Sequence, residues 1–178
     1  MEQTRQRITR AAVELHGTIG PAATTMSVVA DRAGVTRATL YRHFPNQAAL
    51  LAACSVDWLA ANPRPDPETW REIANPADRL RAGLDELYAY YRSTERMRAN
   101  LLRDIELLPQ GIRTGITAFP ASVVPVLQAG WPDARLADLR RAAIGHAVAF
   151  ETWRSLVGQD LSDSEAAGLM VRFVTSVV

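Results

Sequence analysis

The chain has 178 residues, 48% of them apolar, with 20 basic and 19 acidic side chains and a formal charge of +1. This length and composition allow one or two domains with a sizeable core and exclude a disordered chain or a uniform polycation. All the basic residues are Arg and they are unevenly spread: residues 1–50 hold six Arg against Glu2, Glu14 and Asp31, a balance of +3, and the remainder holds fourteen Arg against sixteen acids, a balance of −2. A basic head on a mildly acidic body fits a chain that meets a polyanion at one end. Cys54 is the only cysteine, so no internal disulfide forms, and among Ala52, Ala53 and Val56 it reads as a buried structural thiol. No apolar run approaches bilayer length and no secretory signal is visible, so a cytoplasmic protein is expected.

In chain order, a first helix is predicted over 4–16, with Arg5, Arg7 and Arg10 towards solvent or a phosphate. Gly17 and Gly20-Pro21 end it. Thr25 is the better N-cap for the next helix, in which Met26, Val29, Ala30 and Ala33 recur at i, i+3, i+4 and i+7. Gly34 permits the turn, Val35 follows as an apolar plug, and Thr36 caps a second short helix. Leu40 and Phe44 point inward there. Arg37, Ala38, Tyr41 and Arg42 fall on the opposite face, with Thr39 and His43 at its edges. Two short helices around a three-residue turn with a glycine make a helix-turn-helix, the predicted surface for double-stranded DNA. Arg37 suits a bidentate contact to guanine and Thr39 a thymine methyl. Thr25, Thr36, Tyr41 and His43 can donate to phosphates, with Arg5 and Gln47 as weaker donors. The alternative is that Arg37 and Arg42 are solvated surface only.

Pro45-Asn46 forms a turn, and Asn46 caps a fourth helix running through Leu50 and Leu51 to Trp58. Pro63, Pro65, Pro67 and Pro76 read as a joint. Leu80, Leu84, Leu87, Tyr88 and Tyr91 predict a helix over 77–92, and Met97, Leu101, Leu102 and Ile105 a separate shorter one. A broken or kinked helix is predicted over 117–129. A long helix is then expected over 132–157, with a small-residue surface from Ala142, Ala143, Gly145, Ala147 and Ala149, closed by Gly158 as a C′ glycine. Ser162 and Glu165 form a capping box for a final helix through Met170, Val171, Val174, Val177 and Val178. Its apolar end predicts that the two C-terminal helices pair with those of a second copy; burial within one chain is the alternative. No strand signal and no internal repeat is present.

Catalytic signals are sparse. His16, His43 and His146 lie far apart, and no Cys/His pair has metal-ligand spacing. There is no G-x-S-x-G and no phosphate-binding glycine loop, and Asp104 and Glu106 are two apart on a helix, hence on different faces. Neither an enzyme nor a metal or cofactor is expected.

Ile8, Ala11, Ala12, Leu15, Thr25, Val29, Ala30, Ala33, Gly34, Val35, Thr36, Leu40, Tyr41, Phe44 and Leu50, with the register AGVTRATLYRHF, resemble the N-terminal domain of the tetracycline-repressor (TetR) family. The chain departs from that family at His16, where Phe is usual, at Val29, where Ile is usual, and at Gln47, where a Lys often meets a phosphate. The resemblance implies an all-α fold: an N-terminal three-helix helix-turn-helix DNA-binding domain over 1–46 and a C-terminal helical ligand-binding and dimerisation domain over 47–178. It also implies a homodimeric repressor of a pseudo-palindromic operator, with Thr25 on the phosphate backbone. A small-molecule effector in the helical body would shift the linking helix and release the DNA. Trp58, Tyr88, Tyr91, Met97, Leu101, Phe119, His146 and Phe150, with Trp70 and Trp153, are the large or polar-tipped groups able to line a cavity, and they favour an apolar or aromatic effector. Each alone reads first as plain core, His146 included. The rival reading is a helical small-molecule-binding protein with a weak or vestigial DNA-binding head.

Overall fold

A computed structural model describes residues 1–176 and is all-helical, with no strand among them. Val177 and Val178, read above as the apolar end of the last helix, lie outside the described residues. The chain falls into two compact units, one of residues 1–63 and 94–116 and the other of 64–93 with residue 117 onward.

The first unit is built on α1 (Glu2–Thr18), α2 (Met26–Ala33), α3 (Arg37–His43) and α4 (Gln47–Ala61). Its core joins Ile8, Ala11 and Ala12 of α1 to Met26, Val29, Ala30 and Ala33 of α2, to Leu40 and Phe44, and to Leu50 and Cys54 of α4. These apolar stripes are the ones read from sequence. The short helices α2 and α3 supply little stability of their own, so this shared burial holds them. The predicted caps are in place: Thr25 accepts from the Val28 N–H, Thr36 from Thr39 and Asn46 from Ala49. Cys54 is 2% exposed; burial first, and then the charge of Asp57, pushes its thiol up to about 12.

Several boundaries differ from the sequence reading. Residues 77–105 do not form two helices. α5 runs unbroken from Pro76 to Arg103, its first turn capped by the Asn75 side chain, and only Ile105 falls in a following 3-10 turn. No Gly or Pro lies between Leu84 and Leu108 to end it. α6 starts earlier than expected and spans Gln110–Gln128, with Pro120 and Pro125 inside it. Both α5 and α6 contribute residues to both units.

The expected long helix over 132–157 is divided into α7 (Ala137–Ala147) and α8 (Phe150–Val157), with Ala149 extended between them. The cause lies elsewhere in the second unit. The hydroxyls of Tyr88 and Tyr91 on α5 donate to the carbonyls of Ala147 (2.7 Å) and Val148 (2.6 Å), replacing helical donors at the break. Gly158 is not the left-handed C′ residue: it is right-handed at φ −68, and Asp160 takes the positive φ of 63. The capping box of Ser162 and Glu165 then opens α9 (Asp163–Thr175) as read.

Candidate nucleic-acid interface

Gly34 takes φ 61, ψ 42 at the end of α2, where the Val35 N–H reaches back to the Ala30 carbonyl at 3.0 Å and the Gly34 N–H to Asp31 at 3.1 Å. This Schellman closure turns the chain within one residue, so that Thr36 can start α3 directly. The Thr36 hydroxyl accepts from the Thr39 N–H at 3.2 Å and donates to the Thr39 hydroxyl at 3.0 Å. The Thr39 hydroxyl proton is thereby left to point away from the cap.

The face predicted for α3 is the exposed one. Thr36, Arg37, Ala38, Tyr41 and Arg42 are exposed and Thr39 and His43 half-buried, whereas Leu40 and Phe44 are at 0% and 1%. Thr25, at the mouth of α2, is exposed as well. Hydroxyls, guanidiniums and a phenol that project from two helix N-termini and one helix face are the groups that duplex DNA accepts on phosphates and base edges.

Two neighbours are more committed than the sequence implies. Arg5 lies over the Phe44 ring, 4.4 Å from its centroid, and donates to the His43 carbonyl, so it clamps α1 to the end of α3. Gln47, read as a phosphate donor, turns its amide onto the Thr24 carbonyl at 3.1 Å, which ties α4 to the start of α2. Arg32 is paired with Glu14 of α1.

The residues proposed to line an effector cavity are divided between the two units. Trp58, Met97 and Leu101 belong to the first unit, and Tyr88, Tyr91, Phe119, His146 and Phe150 to the second. Trp58 lines a groove of about 770 Å³ between α1 and α4, with Arg5, Thr9, Arg10, Val13 and Asp57. Tyr88 and Tyr91 are fully buried, their hydroxyls spent on the α7–α8 break, and Tyr91, Phe150 and Trp153 pack with centroids 5.4–5.9 Å apart. They are a solid aromatic core of that unit. His146 is not a core histidine: it is exposed, with its ring edge-on to Phe173 and Nδ1 3.4 Å from the Thr152 hydroxyl. Of the small-residue surface, Ala143 and Ala147 are buried, whereas Ala142 is exposed and a side chain at Gly145 would meet nothing within 4 Å.

The sequence reading missed a polar stripe near the end of α5. Asn100 donates to the His16 carbonyl (3.0 Å), Arg103 to Ile19 (3.0 Å) and Arg96 to Thr18 (3.5 Å), and Asp104 accepts from the Ala22 N–H (3.0 Å). The hydrogen bond from the Arg103 guanidinium, helped by Ala22, holds the Asp104 carboxyl below its ordinary range. Separations of 78 to 84 residues left no local signal for it.

No described helix is long and apolar enough to cross a membrane, and no group of three or more His, Cys, Asp or Glu among the described residues could hold a metal ion.

Residues 8–54 match the family model described as bacterial regulatory proteins, tetR family. No curated protein gives a significant match. Among solved structures, the chain is similar to a TetR-like transcriptional regulator from Rhodococcus sp. RHA1, with a TM-score of 0.64 at 18% identity over 96% of this chain and 93% of that one. It is also similar to the transcriptional regulator FadR from Bacillus subtilis, solved in complex with stearoyl-CoA (TM-score 0.63, 17% identity, 97% and 98% covered). A third is HlyIIR, a hemolysin II transcriptional regulator (TM-score 0.60, 17% identity, 98% and 97% covered). These likenesses, all under 20% identical, show a shared fold along the whole chain, and the similarity to the tetR family of bacterial regulatory proteins lies over residues 8–54.

Proposed function

We propose that the chain is a cytoplasmic, ligand-responsive transcriptional repressor, not an enzyme, that binds a pseudo-palindromic operator as a homodimer. Residues 1–46 form its DNA-binding head and 47–178 its effector-binding and dimerisation part. The observation that carries this reading is the exposed face of α3, where Arg37, Tyr41 and Arg42 stand clear of the core, together with the exposed capping residues Thr25 and Thr36. Arg37 reads a guanine, Thr39 a base edge, and Thr25, Thr36, Tyr41 and His43 set the register on phosphates.

Dimerisation through α7 and α9 is supported by an uncovered strip. Leu139 is 62% exposed and Phe173 43%, beside Ala142, Gly145 and His146. Small residues there let a second copy approach closely, and large apolar ones gain from being covered. An apolar or aromatic effector is the proposed release signal; the similar regulator from Bacillus subtilis was solved with a fatty acyl thioester.

Selection of random duplex DNA by the purified protein across a salt series tests the reading. An enriched pseudo-palindrome, with half-sites about 34–36 Å apart and affinity falling as salt rises, is the expected result. A chain that enriches no sequence at any salt is a helical small-molecule-binding protein with a vestigial head.

A further inference from the structure

The carbonyls that close α1, from His16 to its C-cap Ile19, have no helical donor. Three of them are met by side chains from one stripe of α5. Arg96, Asn100 and Arg103, spaced i, i+4 and i+7, donate to Thr18, His16 and Ile19, a C-cap supplied by another helix. Two of the three donors are cations, which suits the negative end of the α1 dipole. Asp104, on the same stripe and 7% exposed, takes the opposite role and accepts the Ala22 N–H from the turn that follows α1.

The corner so held has little freedom. Gly20 sits at φ 91, and a side chain there would collide with Arg103 and Asp104. Beyond it, the buried Thr24 hydroxyl donates to the Gly20 carbonyl at 2.8 Å, and the Thr24 carbonyl receives Gln47. The next residue is Thr25, which caps α2 and is exposed. Hydrogen bonds from the α5 stripe and within the corner therefore hold Ile19, Gly20, Ala22 and Thr24, and the Thr25 N–H donates to the Ala23 carbonyl of the same corner at 3.2 Å.

We propose that Asn100 and Arg103 of α5 and Asp104 just after it are positioning residues for DNA binding, which set the α1–α2 corner and through it the placement of Thr25 on the phosphate backbone. The proposal rests on the reading that the helix-turn-helix binds duplex DNA. None of the three need touch DNA. Their work is to keep Thr25 at hydrogen-bonding distance from a phosphate once α3 is seated.

A double-mutant cycle with the duplex enriched from the selection as probe tests it. Asp104→Ala is expected to weaken binding about tenfold, the scale of one charge-assisted hydrogen bond, with the helical circular dichroism retained. Thr25→Ala costs a similar factor. Combined, the two cost little more than either alone, because each removes the same phosphate contact, whereas Asp104→Ala multiplies with Arg37→Ala on α3. Arg103→Ala, at a side chain 55% exposed, gives the same pattern with little risk to folding. If the losses of Thr25→Ala and of either Asp104→Ala or Arg103→Ala multiply, or if neither of the latter two weakens binding, the proposal is overturned while the DNA reading stands. If the wild-type chain binds no duplex, both fall.

Discussion

His16 lies on the inner side of α1, 4% exposed, where burial holds its imidazole down to about 4 from an ordinary value of 6.5. Above pH 6.5 the ring is neutral in the folded and unfolded chain alike and contributes nothing to the pH dependence. Between 6.5 and 4 the unfolded chain binds a proton that the folded chain refuses, so stability falls as pH falls. From those two values the loss is about 2 kcal/mol at pH 5 and about 3 kcal/mol at pH 4, a large part of an ordinary folding free energy. Carboxylates act lower. Asp104, held down by Arg103, and Asp163, where hydrogen bonds from Arg92 and Trp153 outweigh the effect of burial, lose their contributions only as pH drops below 3.8. The assay is urea unfolding followed by circular dichroism at pH 7.5 and pH 5, on the wild type and on His16→Phe. The variant is expected to be at least as stable at pH 7.5 and to lose about 2 kcal/mol less on going to pH 5. An equal loss in both proteins would refute the assignment of acid sensitivity to His16.

Gly34→Ala introduces no clash, since nothing lies within 4 Å of the new carbon, and so reports the left-handed conformation alone. Its expected cost is about 1 kcal/mol in thermal or urea unfolding. Tyr91→Phe leaves the Val148 carbonyl without its donor, with an expected loss of about 1–2 kcal/mol and no change in DNA affinity beyond that stability effect. Cys54 is expected to resist alkylation by iodoacetamide at pH 8 in the native protein and to react once urea unfolds it; rapid native labelling would show that the core around α1 and α4 opens. Arg37→Ala and Tyr41→Ala are expected to leave the melting temperature within a degree or two and to reduce binding to the selected duplex, because both side chains are exposed; unfolding in either variant would show that this face is core.

The helix-turn-helix was legible because its determinants are local. Thr25, Gly34, Thr36 and Asn46 act on residues one to four positions away, and the stripe of Met26, Val29, Ala30 and Ala33 repeats within two turns. The body was less so. The proline count between 109 and 125 argued for interruption, yet α6 accommodates Pro120 and Pro125 within one helix. Gly158 carries the residue type of a C′ position, but the turn that follows places the positive φ on Asp160. His146 reads first as core from the sequence, yet its side chain is exposed.

By itself the sequence determined the helical class, the cap and turn chemistry of the head, and which face of α3 stays out of the core, since periodicity and capping need only near neighbours. The tertiary structure alone decided where α7 stops, because the donors that replace its helical bonds come from Tyr88 and Tyr91, more than fifty residues upstream. It also decided what closes α1, because the donors for its last carbonyls lie on α5. Unsatisfied backbone groups must find partners once buried, and only the folded chain shows which distant side chains supply them.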